Sequence, residues 1–284
     1  MSSLHRDKAP FSDKVWATID KAARDVLATM LGARKVVDFE GPKGWSYSAV
    51  DLGRARRLAQ GPAAEVDARL RTTQPLVELR LTFKLDREEI EAMERGAKDP
   101  DLDPVEQAAR RFAYAEDRMV FHGFAEAGIV GIVEAAAGAQ LTLQGDYLRY
   151  PEVVAQAVST LKLNGIGGPY GIALGPRCWN GLTQTSTPAG YPVLKHVERL
   201  LDGPIVWAPA LDGALVVSLR GGDFELTVGR DIAIGYLDHD AKTVTLYLQE
   251  SATSVVIEEN AAIPLVYASP ERSKGRARKR STRS

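Results

Sequence analysis

A single cysteine, Cys178, excludes an internal disulfide framework and any cysteine-rich zinc site, and it points to a reducing compartment, the cytoplasm. Histidines are also few: His5, His122, His196 and His239 are scattered, and none belongs to an H-E-x-x-H run. His196-Val197-Glu198 has the H-x-E of a zinc deaminase but lacks the C-x-x-C that would complete it, so no metal site is expected. The opening Met1-Ser2-Ser3-Leu4-His5-Arg6-Asp7-Lys8 lacks the apolar core of a secretory leader, and no export is expected. Long hydrophobic runs are missing as well. The most apolar stretch, Ala125 to Leu143, is interrupted by Glu126 and Glu134 and falls short of a membrane span. There is no G-x-x-x-x-G-K-[ST] and no G-x-S-x-G. Gly165-Ile166-Gly167-Gly168-Pro169-Tyr170 places tyrosine where a dinucleotide fingerprint needs its third glycine, and it precedes a strand instead of opening a helix.

What is present is ordinary globular composition: 284 residues, 45% hydrophobic and 26% charged, enough for one elaborated domain or two. The net charge of −1 is unevenly spread. Residues 271–284 carry +6, leaving −7 for the rest, so a mildly acidic body ends in a basic tail.

Ser12 and Asp13 precede a helical pattern of Val15, Trp16, Ile19, Ala23, Val26, Leu27 and Met30, and Gly32 is expected to stop it. Lys35 to Phe39 reads as a strand. No period is sustained from Tyr47 to Gln74, which predicts a long extended arm, whereas Val77, Leu79, Leu81 and Phe83 alternate with polar residues as a half-buried strand does. Asp86 and Glu89 resemble a capping box for a short helix ending at Gly96. Asp103-Pro104 opens a longer helix with Val105, Ala108, Ala109, Phe112, Ala115, Met119 and Val120 inward, ending at Gly123 and about 30 Å long. Further helices are expected over 150–163, 176–183 and 193–201, and strands over 170–174, 204–208, 213–219, 224–228, 231–236 and 243–250. The mixed alternation predicts an α+β fold.

No catalytic constellation emerges. Cys178 lies beside Arg177 and Trp179 but reads as helix packing, and Glu116-Asp117 next to Arg118 reads as an ion-paired structural face.

Several segments, in order and with family spacing, resemble the encapsulins. They are R-D-K-A-P-F-S-D-K-V-W-A-T-I-D (Arg6–Asp20), R-K-V-V-D-F-E-G-P (Arg34–Pro42), E-R-G-A-K-D-P-D-L (Glu94–Leu102), A-E-D-R-M-V-F-H-G (Ala115–Gly123), G-P-Y-G-I-A-L (Gly168–Leu174), G-Y-P-V-L-K-H-V (Gly190–Val197), R-G-G-D-F-E-L-T-V-G-R-D-I-A-I-G-Y (Arg220–Tyr236) and L-Y-L-Q-E-S (Leu246–Ser251). The resemblance implies the fold of tailed-phage major capsid proteins. It further implies no enzyme activity and self-assembly of about sixty copies into a closed icosahedral compartment around a cargo enzyme of the peroxidase or ferritin-like iron-storage class.

The implied domains are a peripheral domain from residues 1–45, 76–134 and 223–268, an extended loop over 46–75, an axial domain over 135–222 and a basic tail over 269–284. A groove for the C-terminal targeting peptide of the cargo is implied at Leu27, Met30 and Leu31 of the first helix and Ile232, Ile234 and Tyr236 of a late strand, with Arg34 and Asp38 as polar anchors. The loop Gln184, Thr185, Ser186, Thr187, Pro188, Ala189, Gly190 and Tyr191 would rim a five-fold pore. Some encapsulins bind flavin through an aromatic residue in the segment matching Asp86 to Ile90. None is present here, so no cofactor is expected. The sequence leaves two alternatives open: a hydrolase or protease-like enzyme, and weak, salt-sensitive nucleic-acid binding through the tail.

Overall fold

The computed structural model describes residues 4–268, so the basic tail lies outside the described residues. Helix α1 (Asp13–Met30) starts where the sequence expects it, but the Ser12 hydroxyl donates to Glu94 (2.9 Å) instead of capping its own helix. Gly32 keeps a negative φ of −76°; it is required by close approach, because a Cβ there would lie 2.6 Å from the Trp207 carbonyl oxygen. The chain then makes a 3-10 turn over Ala33–Lys35 before strand β1 (Asp38–Glu40), which is shorter and later than the pattern at 35–39 suggests. The reason is a distant carboxylate: Asp117 accepts the Gly32 and Ala33 N–H groups, both at 2.9 Å, and holds the backbone in a turn.

The aperiodic segment is a hairpin of β2 (Ala49–Arg57) and β3 (Arg69–Pro75), paired from Ala49↔Pro75 to Arg57↔Arg69 with a bulge between Asp51 and Arg54. None of its residues is buried and most are exposed, Val66 and Leu70 each at 48%. Ion pairs Arg57–Asp67 and Arg71–Asp51 lie along it, and the Gln74 amide ties its base to the Ala127 carbonyl (3.2 Å). An isolated two-stranded hairpin is marginal in water.

Beyond the arm come β4 (Val77–Asp86), α2 (Arg87–Arg95), α3 (Asp103–His122), the short α4 (Ile132–Ala135), β5 (Leu141–Leu143), α5 (Tyr150–Leu163), β6 (Tyr170–Leu174), α6 (Pro176–Gln184) and α7 (Val193–Leu200). The remainder is β7 (Ile205–Trp207), β8 (Ala214–Ser218), β9 (Phe224–Val228), β10 (Ala233–His239), β11 (Thr243–Val256) and β12 (Ala262–Tyr267). Asp86 caps α2 by accepting the Glu88 N–H, but Glu89 takes the Asp101 N–H rather than closing the box.

Two five-stranded sheets form. In the first, β11 pairs with β4 on one side and with β10 and then β9 on the other, while β1 extends the sheet beyond β9. The second runs β5-β12-β8-β6-β7, with β7 at its edge. One apolar core joins the first sheet to α1, α2 and the first half of α3, through Val105, Ala108, Ala109 and Phe112; the other surrounds the second sheet and takes in Met119, Val120 and Phe121. Helix α3 thus serves both cores. Ala115, expected inward, is exposed, and the inward places go to Glu116 and Asp117. No helix among the described residues is long and apolar enough to cross a membrane.

Candidate functional site

The last three turns of α1 and the start of β10 enclose a hollow of about 540 Å³. Leu27 and Leu31 line it from the helix, and Ile232 and Ile234 from the strand side. One end is closed by the N-terminal segment, where Arg6 makes a fork with Asp20 (2.8 and 2.5 Å) and donates through Nε to the Ile234 carbonyl (2.8 Å). The Arg6 guanidinium also lies over the Trp16 ring, 4.3 Å from its centroid.

The other end is a buried charge cluster. Arg34 donates to Glu116 through Nε (2.8 Å) and Nη2 (2.6 Å), and Nη2 also meets Glu250 (2.7 Å) and Asp231 (2.9 Å). Glu116 and Glu250 are fully buried. Burial works against the Arg34 charge, yet the hydrogen bond and charge of Glu116, helped by Glu250 and Asp231, hold the guanidinium more firmly protonated than usual. Burial first, and then the charge of Glu116, push the Glu250 carboxyl well above the usual range. One oxygen of Glu250 is buried without a partner. Burial beside Glu116 thus favours the protonated form of Glu250. Nearby, burial pushes Asp117 up to about 7, against the pull of the Ala33 and Gly32 N–H groups.

The sequence places eight residues in one groove; the structure brings together Leu27, Leu31, Arg34, Ile232 and Ile234. Met30, Asp38 and Tyr236 do not line it. Asp38 accepts the Gly222 N–H (2.6 Å) and lies beside β9, on a separate small hollow with Lys35 and Ser218. Tyr236 points its hydroxyl to His239 (2.6 Å) and gives its N–H to the Leu4 carbonyl. Arg34 is a groove residue whose donors are largely consumed inside the protein. Glu116-Asp117 is indeed structural, but its partners are Arg34 and two backbone N–H groups rather than Arg118, and the face is buried. Arg6, Asp20, Asp231 and Glu250 were missed, since charges that meet across 14 to 216 positions leave no local pattern.

The Gln184–Tyr191 segment is a self-bonded turn after α6. Thr187 N–H donates to the Tyr191 carbonyl (2.8 Å), Tyr191 N–H to the Thr187 hydroxyl (3.2 Å), and Gly190 adopts φ +80°. Cys178 packs as expected, fully buried with Sγ 3.3 Å from the Tyr267 hydroxyl, and burial pushes its thiol up.

The cluster makes stability depend on pH. A carboxyl whose folded pKa exceeds its unfolded value of about 4 stabilises fully below that value and loses the effect as pH rises through the folded one. For Asp117 the window runs from about 4 to about 7, and Glu250 adds to it in the same direction. The free energy of unfolding by denaturant is expected to fall by about 1–3 kcal/mol from pH 5 to pH 8. Glu250→Gln, which keeps the shape and cannot ionise, should flatten that slope. An identical slope in both proteins would remove Glu250 from the account.

Residues 1–253 match the family described as "Encapsulating protein for peroxidase". A type 1 encapsulin shell protein of Rhodospirillum rubrum is 54% identical over 270 residues, covering 93% of this chain and 96% of the relative. A type 1 encapsulin shell protein of Rhodococcus erythropolis is 43% identical over 266 residues, covering 93% and 100%. The crystal structure of a virus-like particle from Pyrococcus furiosus superposes with a TM-score of 0.60 at 15% identity, covering 87% of this chain and 97% of that one. The fold is therefore the phage-capsid type of α+β. The relatives are named shell proteins, not enzymes, so the hydrolase reading falls. With a family match over residues 1–253 and relatives collinear over 93% of its length, this chain belongs to the encapsulin shell-protein family.

Proposed function

We propose that the chain assembles, through heterologous contacts repeated about closed axes, into a hollow icosahedral shell, most simply of about sixty copies. The observation that carries this reading is the β2–β3 arm, which buries almost nothing within its own subunit and exposes Val66 and Leu70. Such a hairpin gains its stability from a neighbouring copy. On this reading the β11 sheet with α1 to α3 is the peripheral domain, residues 46–75 are the intersubunit loop, and 135–222 are the axial domain at the vertices. The uncharged turn 184–191 then rims the five-fold pore. The shell encloses, in the cytoplasm, a cargo enzyme of the peroxidase or ferritin-like class; the family description favours peroxidase.

The cargo is held by a C-terminal peptide laid in the hollow of Leu27, Leu31, Ile232 and Ile234. Two or three aliphatic side chains buried at about 1.5–3 kcal/mol each, less ordering costs, correspond to roughly micromolar affinity per site. Multivalent cargo then loads tightly through weak contacts.

Electron microscopy of the purified protein tests the shell: closed hollow particles are expected, and a small soluble oligomer would refute it. Leu31→Asp tests the groove. Coexpressed with the native cargo, this variant should give intact particles that are nearly empty, measured as cargo per shell; normal loading would move the peptide elsewhere.

A further inference from the structure

A second hollow, of about 810 Å³, adjoins the first across Ala28. Its walls are Trp179 and Asn180 of α6, Lys35, and residues 204–207 leading into and along β7. Strand β7 is the edge of its sheet. The Ile172 N–H donates to the Pro204 carbonyl (3.0 Å) and the Ala208 N–H to the Leu174 carbonyl (2.9 Å). In a parallel ladder alternate residues bond to one neighbour, so both backbone groups of Ile205 and the N–H of Trp207 face the open edge. The Trp207 carbonyl instead ends against Gly32. The free edge is therefore one or two residues long, enough for the end of a strand and too short for its middle.

The side walls add two selective features. Trp179 and Trp207 meet edge to face with centroids 5.7 Å apart, both half-buried, and offer an apolar surface. No acidic side chain lines the hollow. Lys35 is exposed, reaches only the Thr29 carbonyl at 3.5 Å and has no carboxylate within 4 Å among the described residues; the Asn180 side chain has no hydrogen bond among them. Lys35 also borders the Asp38 hollow and feels the charge of Asp117, but no carboxylate is in contact with it, so an apolar pocket, a short strand edge and donors without a bonded carboxylate suit one chemistry above others: the last residue of an extended peptide with its terminal carboxylate. Between the two hollows, Ala28 is exposed and presents only a methyl group.

We infer that the cargo peptide does not end in the first hollow but crosses Ala28, pairs with β7, sets its final side chain against Trp179 and Trp207, and gives its C-terminal carboxylate to Lys35. This rests on the cargo-groove reading proposed above.

The test coexpresses the shell with a fluorescent protein ending in six Ser-Leu repeats, an extended tail with alternate apolar side chains, and reads fluorescence per purified particle. A second version carries Gly-Ser-Gly-Ser after the last leucine, which removes the carboxylate from its place. Loading is expected to fall about five- to tenfold on that extension. Lys35→Ala, and independently Asn180→Asp, should lower loading of the free-ended tail by a similar factor and leave the extended tail unchanged. Equal loading of both tails, with both lost in Leu31→Asp, overturns the inference and keeps the groove. If neither tail loads, or Leu31→Asp changes nothing, the groove reading fails and this inference with it. Loss of particles in Asn180→Asp would assign the hollow to a neighbouring copy and overturn the proposal.

Discussion

A chain lacking Arg54 to Arg69 is expected to fold and yet form no closed particles, eluting as a monomer or small oligomer at concentrations where the full chain is all shell. The deletion removes the outer part of the β2–β3 hairpin, including Val66, while both cores stay intact, because no arm residue belongs to either. The deletion takes away Val66 and removes Arg56, the strand partner of Leu70, and placing these two apolar side chains against a neighbour contributes about 1.5–3 kcal/mol each before ordering costs. A loss of about 4 kcal/mol per subunit raises the concentration needed for assembly about a thousandfold. Intact particles from the deletion in electron micrographs would show that the arm is dispensable and would undo the reading built on it.

The second large effect is expected at Arg34. Arg34→Ala leaves Glu116 and Glu250 buried with no cation, and breaking a buried pair by removing one partner costs about 3–5 kcal/mol. Protonation relieves part of this, so the loss should be larger at pH 8 than at pH 5, the same sense as the pH dependence of the native protein. Denaturant unfolding at both pH values measures it. A change below about 1 kcal/mol at pH 8 would mean that the carboxylates find water or another partner. A triple replacement of Arg34, Glu116 and Glu250 by apolar residues should recover much of the loss, since buried charge triads are often no better than packed hydrocarbon.

Helix boundaries were legible where a local device sets them. Asp103-Pro104 and Gly123 bracket α3, and Asp86 and Gly96 bracket α2, because a cap acts within a few residues of the end it serves. The start of β1 was misread because the force that shifts it comes from Asp117, 84 positions away. The arm showed only as lost periodicity: a hairpin exposed on both faces has no inner side to write into the sequence. Strands β5 and β12 went unanticipated; β5 is three residues long, and β12 carries Pro264 in a run whose neighbours β8 and β5 come from distant parts of the chain.

The same limit shaped the reading of the groove. The resemblance implies Arg34 and Asp38 as anchors of one groove, but the turn at Ala33–Lys35 sends them to different hollows.

The central place of β11 has a consequence for synthesis. Its partner β4 ends at Asp86, while β11 itself begins at Thr243, and β1 waits longer still for β9. At about 5–20 residues per second, a ribosome needs roughly 8–30 s to cover that interval. During this time the arm is already made, but the sheet that would present it to a neighbour is not. On the shell reading proposed above, completion of this long-range pairing is therefore expected to precede docking of the arm on a neighbour.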